Sequence, residues 1–203
     1  MIKNYKIMKK TGLLIIISSP SGNGKDAVIN ALLKIIPNSI RFVTTTSRLP
    51  RPGNKEGVDY YFITKEAFEN KIKNNDFLEY NFYAGNYYGT EKKLLEKIMA
   101  ENKIVFLNME VNGRNNINKA GIKNLSIFLL PENLEILKNR IKARGGVSDE
   151  VIEERMKIAQ EEISFAPSYN YQVINENGKL DQTVDKLAKI ITFELSKTSN
   201  IDK

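Results

Sequence analysis

The residues best suited to chemistry lie in one loop, Ser18 to Ala27, which connects an apolar run to a helix-like segment. The apolar run, Leu13 to Ile17, predicts a buried strand, and apolar residues recur at helical spacing after the loop. A strand that turns into a helix through glycines brings backbone N–H groups and the positive helix terminus to one point. We therefore predict a phosphate site in which Lys25 binds terminal phosphates and Gly22 and Gly24 form the cradle.

The loop departs at two positions from the phosphate-loop pattern Gly-x-x-x-x-Gly-Lys-Ser/Thr. Ser19 stands where the first glycine is expected, and Asp26 stands where a hydroxyl side chain would hold magnesium. A short Gly-x-Gly-Lys sequence also occurs in structural turns, so the assignment depends on the strand before it and the helix after it. We hypothesise that the Asp26 carboxylate approaches magnesium directly or through water.

A second candidate anion site follows in residues 44–53, a loop with two prolines and two arginines. Arg48 and Arg51 are three residues apart in an extended segment, which allows both guanidinium groups to meet one anion. Loop arginines are often merely solvated, but the nearby phosphate loop favours a binding role. Tyr60 and Tyr88 either donate hydroxyl groups to the same anion or fill the core.

Two carboxylates lie in or directly after predicted strands. Glu79 lies in a strand-like segment whose alternation aims it to the same side as Phe77, so we expect it to point inward. A carboxylate that accepts hydrogen bonds from a guanine edge would reject adenine. Asn108 and Glu110 end a buried strand, where α/β proteins bind ligands, and a carboxylate there acts on a metal or its water shell.

Three arginines surround a glycine pair later in the chain. Arg140, Arg144 and Arg155 bracket Gly145 and Gly146. They form either helix-surface salt bridges or a mobile lid that brings cations onto a transferred phosphoryl group and excludes water.

Composition excludes several classes of chemistry. The 203 residues contain no cysteine and no histidine, which excludes disulfides, thiolate metal sites and a histidine base. The net charge of +7 is scattered except between Lys3 and Lys10, which favours a small anionic ligand over nucleic acid. The first apolar stretch is short and leads into the phosphate loop, so we predict a core strand and neither a signal peptide nor a membrane span.

The elements that position these residues alternate between strands and helices. The apolar runs 104–107 and 125–130 predict buried parallel strands with helices on both faces. A short strand is predicted at 40–43. Residues 44–90 are rich in aromatics and turns, which indicates a small β-rich insertion, and residues 84–90 are predicted to form a turn within it.

Taken in order, these segments resemble the guanylate kinase family over nearly the whole chain. The most specific blocks are Ser47-Arg48-x-x-Arg51-x-Gly53 and Asn86-Tyr87-Tyr88-Gly89-Thr90. The resemblance implies one α/β domain, residues 1–203: a P-loop three-layer α/β/α core with a parallel sheet, a GMP-binding insertion and a helical lid. The implied boundaries are about 11–43, 91–144 and 169–197 for the core, 44–90 for the insertion and 145–168 for the lid.

The resemblance implies ATP-dependent phosphorylation of GMP, and also of dGMP, by in-line transfer with Mg²⁺ as cofactor. The implied ATP-binding residues are Ser21, Gly22, Asn23, Gly24, Lys25, Asp26, Ala27 and Asn175. The implied GMP-binding residues are Thr44, Arg48, Arg51, Tyr60, Glu79, Tyr88, Thr90 and Glu110. The implied catalytic residues are Lys25, Arg48, Arg140, Arg144 and Arg155, and the metal candidates are Asp26 and Glu110.

Two further departures concern efficiency more than reaction type. Asn54 replaces a glutamate that would orient the arginine loop, and Asn108 and Glu110 replace a pair of aspartates. A charge lost at Asn108 and gained at Asp26 would leave the local charge similar. Two alternatives stay open: a kinase of ribose bisphosphate type, and a module that binds phosphopeptides without catalysis. We expect a cytoplasmic protein, a monomer or weak homo-oligomer, whose partners are ATP and GMP and include neither nucleic acid nor membrane.

Overall fold

A computed structural model of the chain describes residues 12–83, 85–143 and 148–199. Its elements, in chain order, are β1 (Leu13–Ser18), α1 (Lys25–Ile35), β2 (Ser39–Arg41), β3 (Thr45–Thr46), β4 (Tyr61–Phe62), α2 (Lys65–Lys73), β5 (Phe77–Tyr83), β6 (Asn86–Glu91), α3 (Lys92–Glu101), β7 (Ile104–Asn108), α4 (Val111–Lys119), β8 (Leu125–Pro131), α5 (Leu134–Ala143), α6 (Asp149–Ser164), β9 (Tyr171–Asn175) and α7 (Leu180–Ser199). Within these residues, no helix has the length and apolar character needed to cross a membrane.

The main sheet has five parallel strands in the order β2-β7-β1-β8-β9. Its central strand is buried from Leu14 onward, and its side chains alternate between two cores. Ile15 and Ile17 pack into a cluster with residues of α1 and α7, whereas Leu14 and Ile16 pack into a second cluster with residues of α3 and α4. The sheet therefore lies between two helical layers, which confirms the predicted α/β/α class.

The order of strands reverses at β1, which pairs with β7 on one side and β8 on the other. Ligands of open α/β sheets bind at such a switch point, beyond the carboxyl ends of the strands. The loop after β1 lies at this edge, together with the last residues of β2 and β7, Arg41 and Asn108. Tertiary structure thus collects three distant segments of the sequence at one place.

A second, mixed sheet has the order β4-β3-β6-β5. The predicted turn at 84–90 is wrong, because Asn86–Glu91 forms β6, which pairs antiparallel with β5 and with β3. Only the left-handed Gly85, with φ of 80°, remains as turn among the described residues of that segment. Phe68 of α2 stacks on Phe77 and Tyr87, with ring centroids 4.2 and 5.1 Å apart, and these aromatics form the core of the sheet.

The predicted strand at 40–43 also differs from the structure, in which β2 spans Ser39–Arg41. The Phe42 amide still donates to the Phe106 carbonyl at 2.8 Å. Beyond that hydrogen bond the chain leaves the parallel sheet for β3 of the mixed sheet. Residues 42–44 are therefore the link between the two sheets.

Candidate active site

The phosphate loop connects β1 to α1 at the carboxyl edge of the parallel sheet. Gly22 and Gly24 have φ of 92° and 80°, a left-handed conformation that strains a residue with a Cβ. A Cβ at Gly22 would also lie 3.0 Å from Ile141 Cγ1. Helix α1 begins at Lys25, so loop amides and the positive helix terminus lie together, as an anion site requires.

Side-chain amides hold this loop from the protein interior. The buried Asn23 donates through Nδ2 to the Leu129 backbone carbonyl at 2.9 Å. The backbone carbonyl of Asn23 accepts a hydrogen bond from Asn175 Nδ2 at 2.6 Å. Arg140 donates to Asn23 Oδ1 at 3.0 Å and to Asn177 Oδ1 at 3.1 and 3.3 Å. Among the described residues Arg140 forms no ion pair, so its positive charge is not neutralised by a carboxylate.

Lys25 lies at the centre of the charged groups. Its ammonium is 3.5 Å from the Ser19 carbonyl oxygen, and burial lowers its pKa against the opposing effect of Glu110 and Glu162. Burial, reinforced by Glu110 and opposed by Lys25, raises the pKa of Glu162 to about 7. The sequence interpretation missed Glu162, although it lies seven residues after Arg155, two turns along one face of α6.

Asp26 lies in the first turn of α1 and contacts the ends of two strands. Its Oδ1 accepts hydrogen bonds from Arg41 at 2.8 Å and from Asn108 Nδ2 at 2.7 Å. The suggested relation between Asp26 and Asn108 is therefore a direct contact. Arg41 was missed, because nothing in the sequence distinguishes it from other charged residues near a strand end.

The arginine loop is organised by Asn54. Its Oδ1 accepts from the Arg48 guanidinium at 2.9 Å and from the Arg51 amide at 3.0 Å. Arg48 also donates to the Leu49 carbonyl at 2.9 Å and lies 5.4 Å from the centre of the Tyr60 ring. An amide oxygen at position 54 thus performs the orienting contact that the sequence suggested was lost with the glutamate.

Tyr60 and Tyr88 form an edge-to-face pair with ring centroids 5.8 Å apart. Burial raises the pKa of Tyr60, and Tyr88 adds to this effect, while Arg48 opposes it. The Tyr60 hydroxyl therefore stays protonated near neutral pH and is able to donate a hydrogen bond. The Tyr60 ring lies beside Arg48 and the Tyr88 ring lies beside Tyr60, in the region predicted to bind an anion.

Glu79 and Thr90 face each other across β5 and β6. The Thr90 hydroxyl donates to Glu79 Oε1 at 2.6 Å. Burial raises the pKa of Glu79 and Glu110 adds to the rise, whereas the hydrogen bonds from Thr90 lower it. Gly113 of α4 provides room for this carboxylate, because a Cβ there would lie 3.3 Å from Glu79 Oε2. Glu79 points inward as predicted, but the prediction that it shares a side with Phe77 is wrong. A β-bulge separates the two residues, so that Phe77 stacks on Phe68 whereas Glu79 faces Thr90 and α4.

The remaining predicted residues are distributed as follows. Thr44 is half-buried, and its carbonyl accepts the Tyr61 amide at 2.9 Å. Ser21 and Ala27 are exposed at the phosphate loop, and Arg155 is half-buried in α6. Arg144 lies outside the described residues.

A metal at this site would depend on ligands beyond the protein. The described parts of the chain contain no group of three or more His, Cys, Asp or Glu side chains arranged to hold one. Magnesium commonly takes one or two carboxylates and completes its shell with phosphates and water. The exposed carboxylates of Asp26 and Glu110, near Lys25, fit that mode of binding.

The fold and the site together define a class of protein. A phosphate loop at the switch point of a parallel sheet, joined to a mixed sheet with a second cationic loop, is the organisation of a P-loop nucleotide kinase.

Comparison with known proteins identifies the branch of that class. A sequence model of the guanylate kinase family matches residues 11–194, and the chain belongs to that family. The guanylate kinase of Listeria innocua is 43% identical, covering 96% of this chain and 94% of its own, and that of Bacillus subtilis is 40% identical, covering 96% and 95%. A crystal structure of guanylate kinase from Anaplasma phagocytophilum superposes with a TM-score of 0.71 at 29% identity, covering 93% and 89% of the two chains.

Proposed function

We propose that this protein is a guanylate kinase, which transfers the terminal phosphoryl group of ATP to GMP and releases ADP and GDP. The observation that carries this proposal is the Glu79–Thr90 pair beside the Arg48–Tyr60–Tyr88 group, within a chain of the guanylate kinase family. Glu79, hydrogen-bonded to Thr90, supplies a carboxylate for the guanine edge. Arg48 supplies a cation for the GMP phosphate, and the two tyrosines supply hydroxyl groups. dGMP is a second acceptor, since no proposed contact uses the ribose 2′-hydroxyl.

The protein acts by positioning and by charge neutralisation, and in-line transfer requires no protein base. The amides of the loop from Ser21 to Ala27 bind the ATP phosphates together with Lys25, and Asn175 lies near the adenine. Arg48, Arg51, Tyr60 and Tyr88 hold the GMP phosphate, while Thr44, Glu79, Thr90 and Glu110 hold the nucleoside. Arg140, Arg144 and Arg155 stabilise the charge of the transferred group.

We assign Asp26 and Glu110 as the residues that hold Mg²⁺ or its water shell. When bound, the ion neutralises charge on the phosphates during transfer. Burial lowers the pKa of Lys25, and the neighbouring carboxylates of Glu110 and Glu162 oppose that effect. The Lys25 ammonium donates to the terminal phosphate oxygens of ATP.

The chain works as a single domain with a core, a GMP-binding region at about 44–90 and a lid at about 145–168. Closure of the region and the lid over both nucleotides excludes water, which would otherwise consume ATP. We propose a cytoplasmic enzyme that acts as a monomer or weak homo-oligomer.

The test is ADP release by the purified protein with ATP and Mg²⁺, measured with GMP, dGMP, AMP, ribose 1,5-bisphosphate or no acceptor. We expect release with GMP and dGMP alone. Release with ribose 1,5-bisphosphate alone would favour the sugar-phosphate kinase and contradict the assignment of Glu79. If the folded protein releases no ADP with any acceptor but binds a phosphopeptide, the binding module is favoured.

A further inference from the structure

The last residues of two adjacent strands donate hydrogen bonds to one side-chain oxygen of Asp26, the residue after the loop lysine. Arg41 ends β2 and Asn108 ends β7, and these strands pair in parallel. Both side chains donate to Asp26 Oδ1, at 2.8 and 2.7 Å. Each hydrogen bond to a charged acceptor is stronger than one between neutral groups, so the Asp26 side chain is fixed from two directions.

The contact with Arg41 offsets the negative charge that an aspartate at position 26 introduces. A hydroxyl after the loop lysine is neutral, whereas a carboxylate places a negative charge beside the phosphates of ATP. The N-terminus of α1 offsets part of that charge, and the Arg41 guanidinium offsets more. Asn108 adds a donor without adding charge. Within the described part of the chain, Asp26 Oδ2 accepts no hydrogen bond, and 62% of the side chain is exposed.

The pair also lies where the parallel sheet gives way to the segment that leads to the mixed sheet. Asp26 belongs to the first turn of α1, directly after the phosphate loop, and Arg41 is the last residue of β2, four positions before β3 begins. Their contact therefore connects the ATP side to the segment that leads to the GMP side.

We propose that Arg41 is a positioning residue for phosphoryl transfer. With Asn108 it fixes Asp26 through Oδ1 and leaves Oδ2 to hold the divalent cation or its water shell. The proposal rests on the proposed function. It also explains the residue at 108, because an aspartate there would oppose the Asp26 carboxylate where the asparagine donates to it.

The first test measures binding by calorimetry and needs no turnover. The probe is AMP-PNP, titrated with and without Mg²⁺ into the wild type, Arg41→Gln, Asp26→Ser and the double variant. We expect Arg41→Gln to reduce the gain in AMP-PNP affinity from Mg²⁺ by about fivefold, which corresponds to about 1 kcal/mol of binding free energy. In the Asp26→Ser background the same change has no further effect, since Arg41 acts through Asp26.

Two outcomes would overturn the proposal. If Arg41→Gln lowers the affinity for AMP-PNP equally without Mg²⁺ and in the Asp26→Ser background, Arg41 contacts phosphate itself. An unchanged Mg²⁺ gain would mean that the pair is only a surface ion pair. Arg41→Lys, which keeps the charge, should restore part of the gain. Lys197→Gln, which removes an ion pair with Glu194 on α7, is the matched control and should leave the gain unchanged.

The second test exchanges the two polar residues. We expect Asn108→Asp to lower kcat by about tenfold, because it turns a hydrogen bond into repulsion, and Asp26→Ser/Asn108→Asp to recover most of the loss. Losses that simply add would contradict the coupling. If the wild type releases no ADP with GMP, the proposed function fails, yet the AMP-PNP titrations still report whether Arg41 acts through Asp26.

Discussion

The two nucleotide sites of this protein are built in opposite ways. The ATP side is one continuous loop whose backbone forms the cradle. Asn23, within the loop, accepts hydrogen bonds from Arg140 and Asn175, which fix the loop to the rest of the protein. The GMP side is assembled from segments that are distant in sequence, and it depends on the pairing of β3, β5 and β6. The phosphate cradle is therefore specified by neighbouring residues and then fixed by a few distant ones, whereas the GMP side exists only when the mixed sheet has its correct register.

The largest effect should come from Lys25→Met, which removes the central cation of the ATP side. We expect kcat to fall by about a thousandfold, because a preorganised charge on the transferred phosphoryl group is lost. The unfolding temperature should not fall, since burial of this ammonium is unfavourable. Coupled ADP release and thermal unfolding measure the two quantities, and Lys97→Met on α3 is the control. A kcat within tenfold of the wild type would contradict the role of Lys25.

A smaller loss, confined to the GMP side, is expected for Glu79→Gln. The variant keeps the contact with Thr90 but loses a charged acceptor for guanine, so kcat/KM for GMP should fall by about a hundredfold. KM for ATP should change little. Steady-state kinetics with each nucleotide varied in turn separates these effects, and an equal loss for both nucleotides would show that the sites are not independent.

The dependence of the GMP side on its sheet is tested by Gly89→Ala. The new Cβ would lie 2.7 Å from Phe77 Cδ1 and 2.9 Å from Phe68 Cζ, inside the aromatic core. We expect a loss of about 1–3 kcal/mol in stability and weaker GMP binding, with AMP-PNP binding preserved. Calorimetric titration with each nucleotide provides the comparison. Gly121→Ala, at a position with open space around it, controls for the effect of a methyl group alone, although its φ of 73° adds backbone strain.

The smallest effect concerns Glu162 and the pH dependence of stability. Its pKa of about 7 exceeds the value of an unfolded glutamate, so the native state binds more protons, and stability falls as pH rises from about 4.5 to about 7. Glu162→Gln should remove this loss, raising the unfolding temperature by about 2 °C at pH 8 and leaving it unchanged at pH 4. Thermal unfolding across this pH range measures the difference, and a gain that is the same at both ends would contradict the raised pKa.

Prediction from sequence succeeded where a pattern is local. The strand, glycine loop and helix around Lys25 were predicted because each is specified by neighbouring residues. The segment 84–90 was predicted as a turn and is mostly a strand, because its glycines and tyrosines adopt β structure only when β5 and β3 supply hydrogen-bond partners. Asparagine in place of glutamate at position 54 predicts a less ordered arginine loop, yet its amide oxygen accepts hydrogen bonds from the Arg48 guanidinium and from the Arg51 amide.

The class of fold, the phosphate loop and the family resemblance follow from short patterns and from their order along the chain. Which side chains surround Lys25 depends on how distant segments pack together. Glu162 reaches it from α6, and the Arg41 and Asn108 contacts with Asp26 come from the ends of two other strands. The hydrogen bonds from Arg41 and Asn108 to Asp26 join residues 15 and 82 positions apart. They arise because parallel strands bring their carboxyl ends to one edge of the sheet, and no local pattern records that convergence.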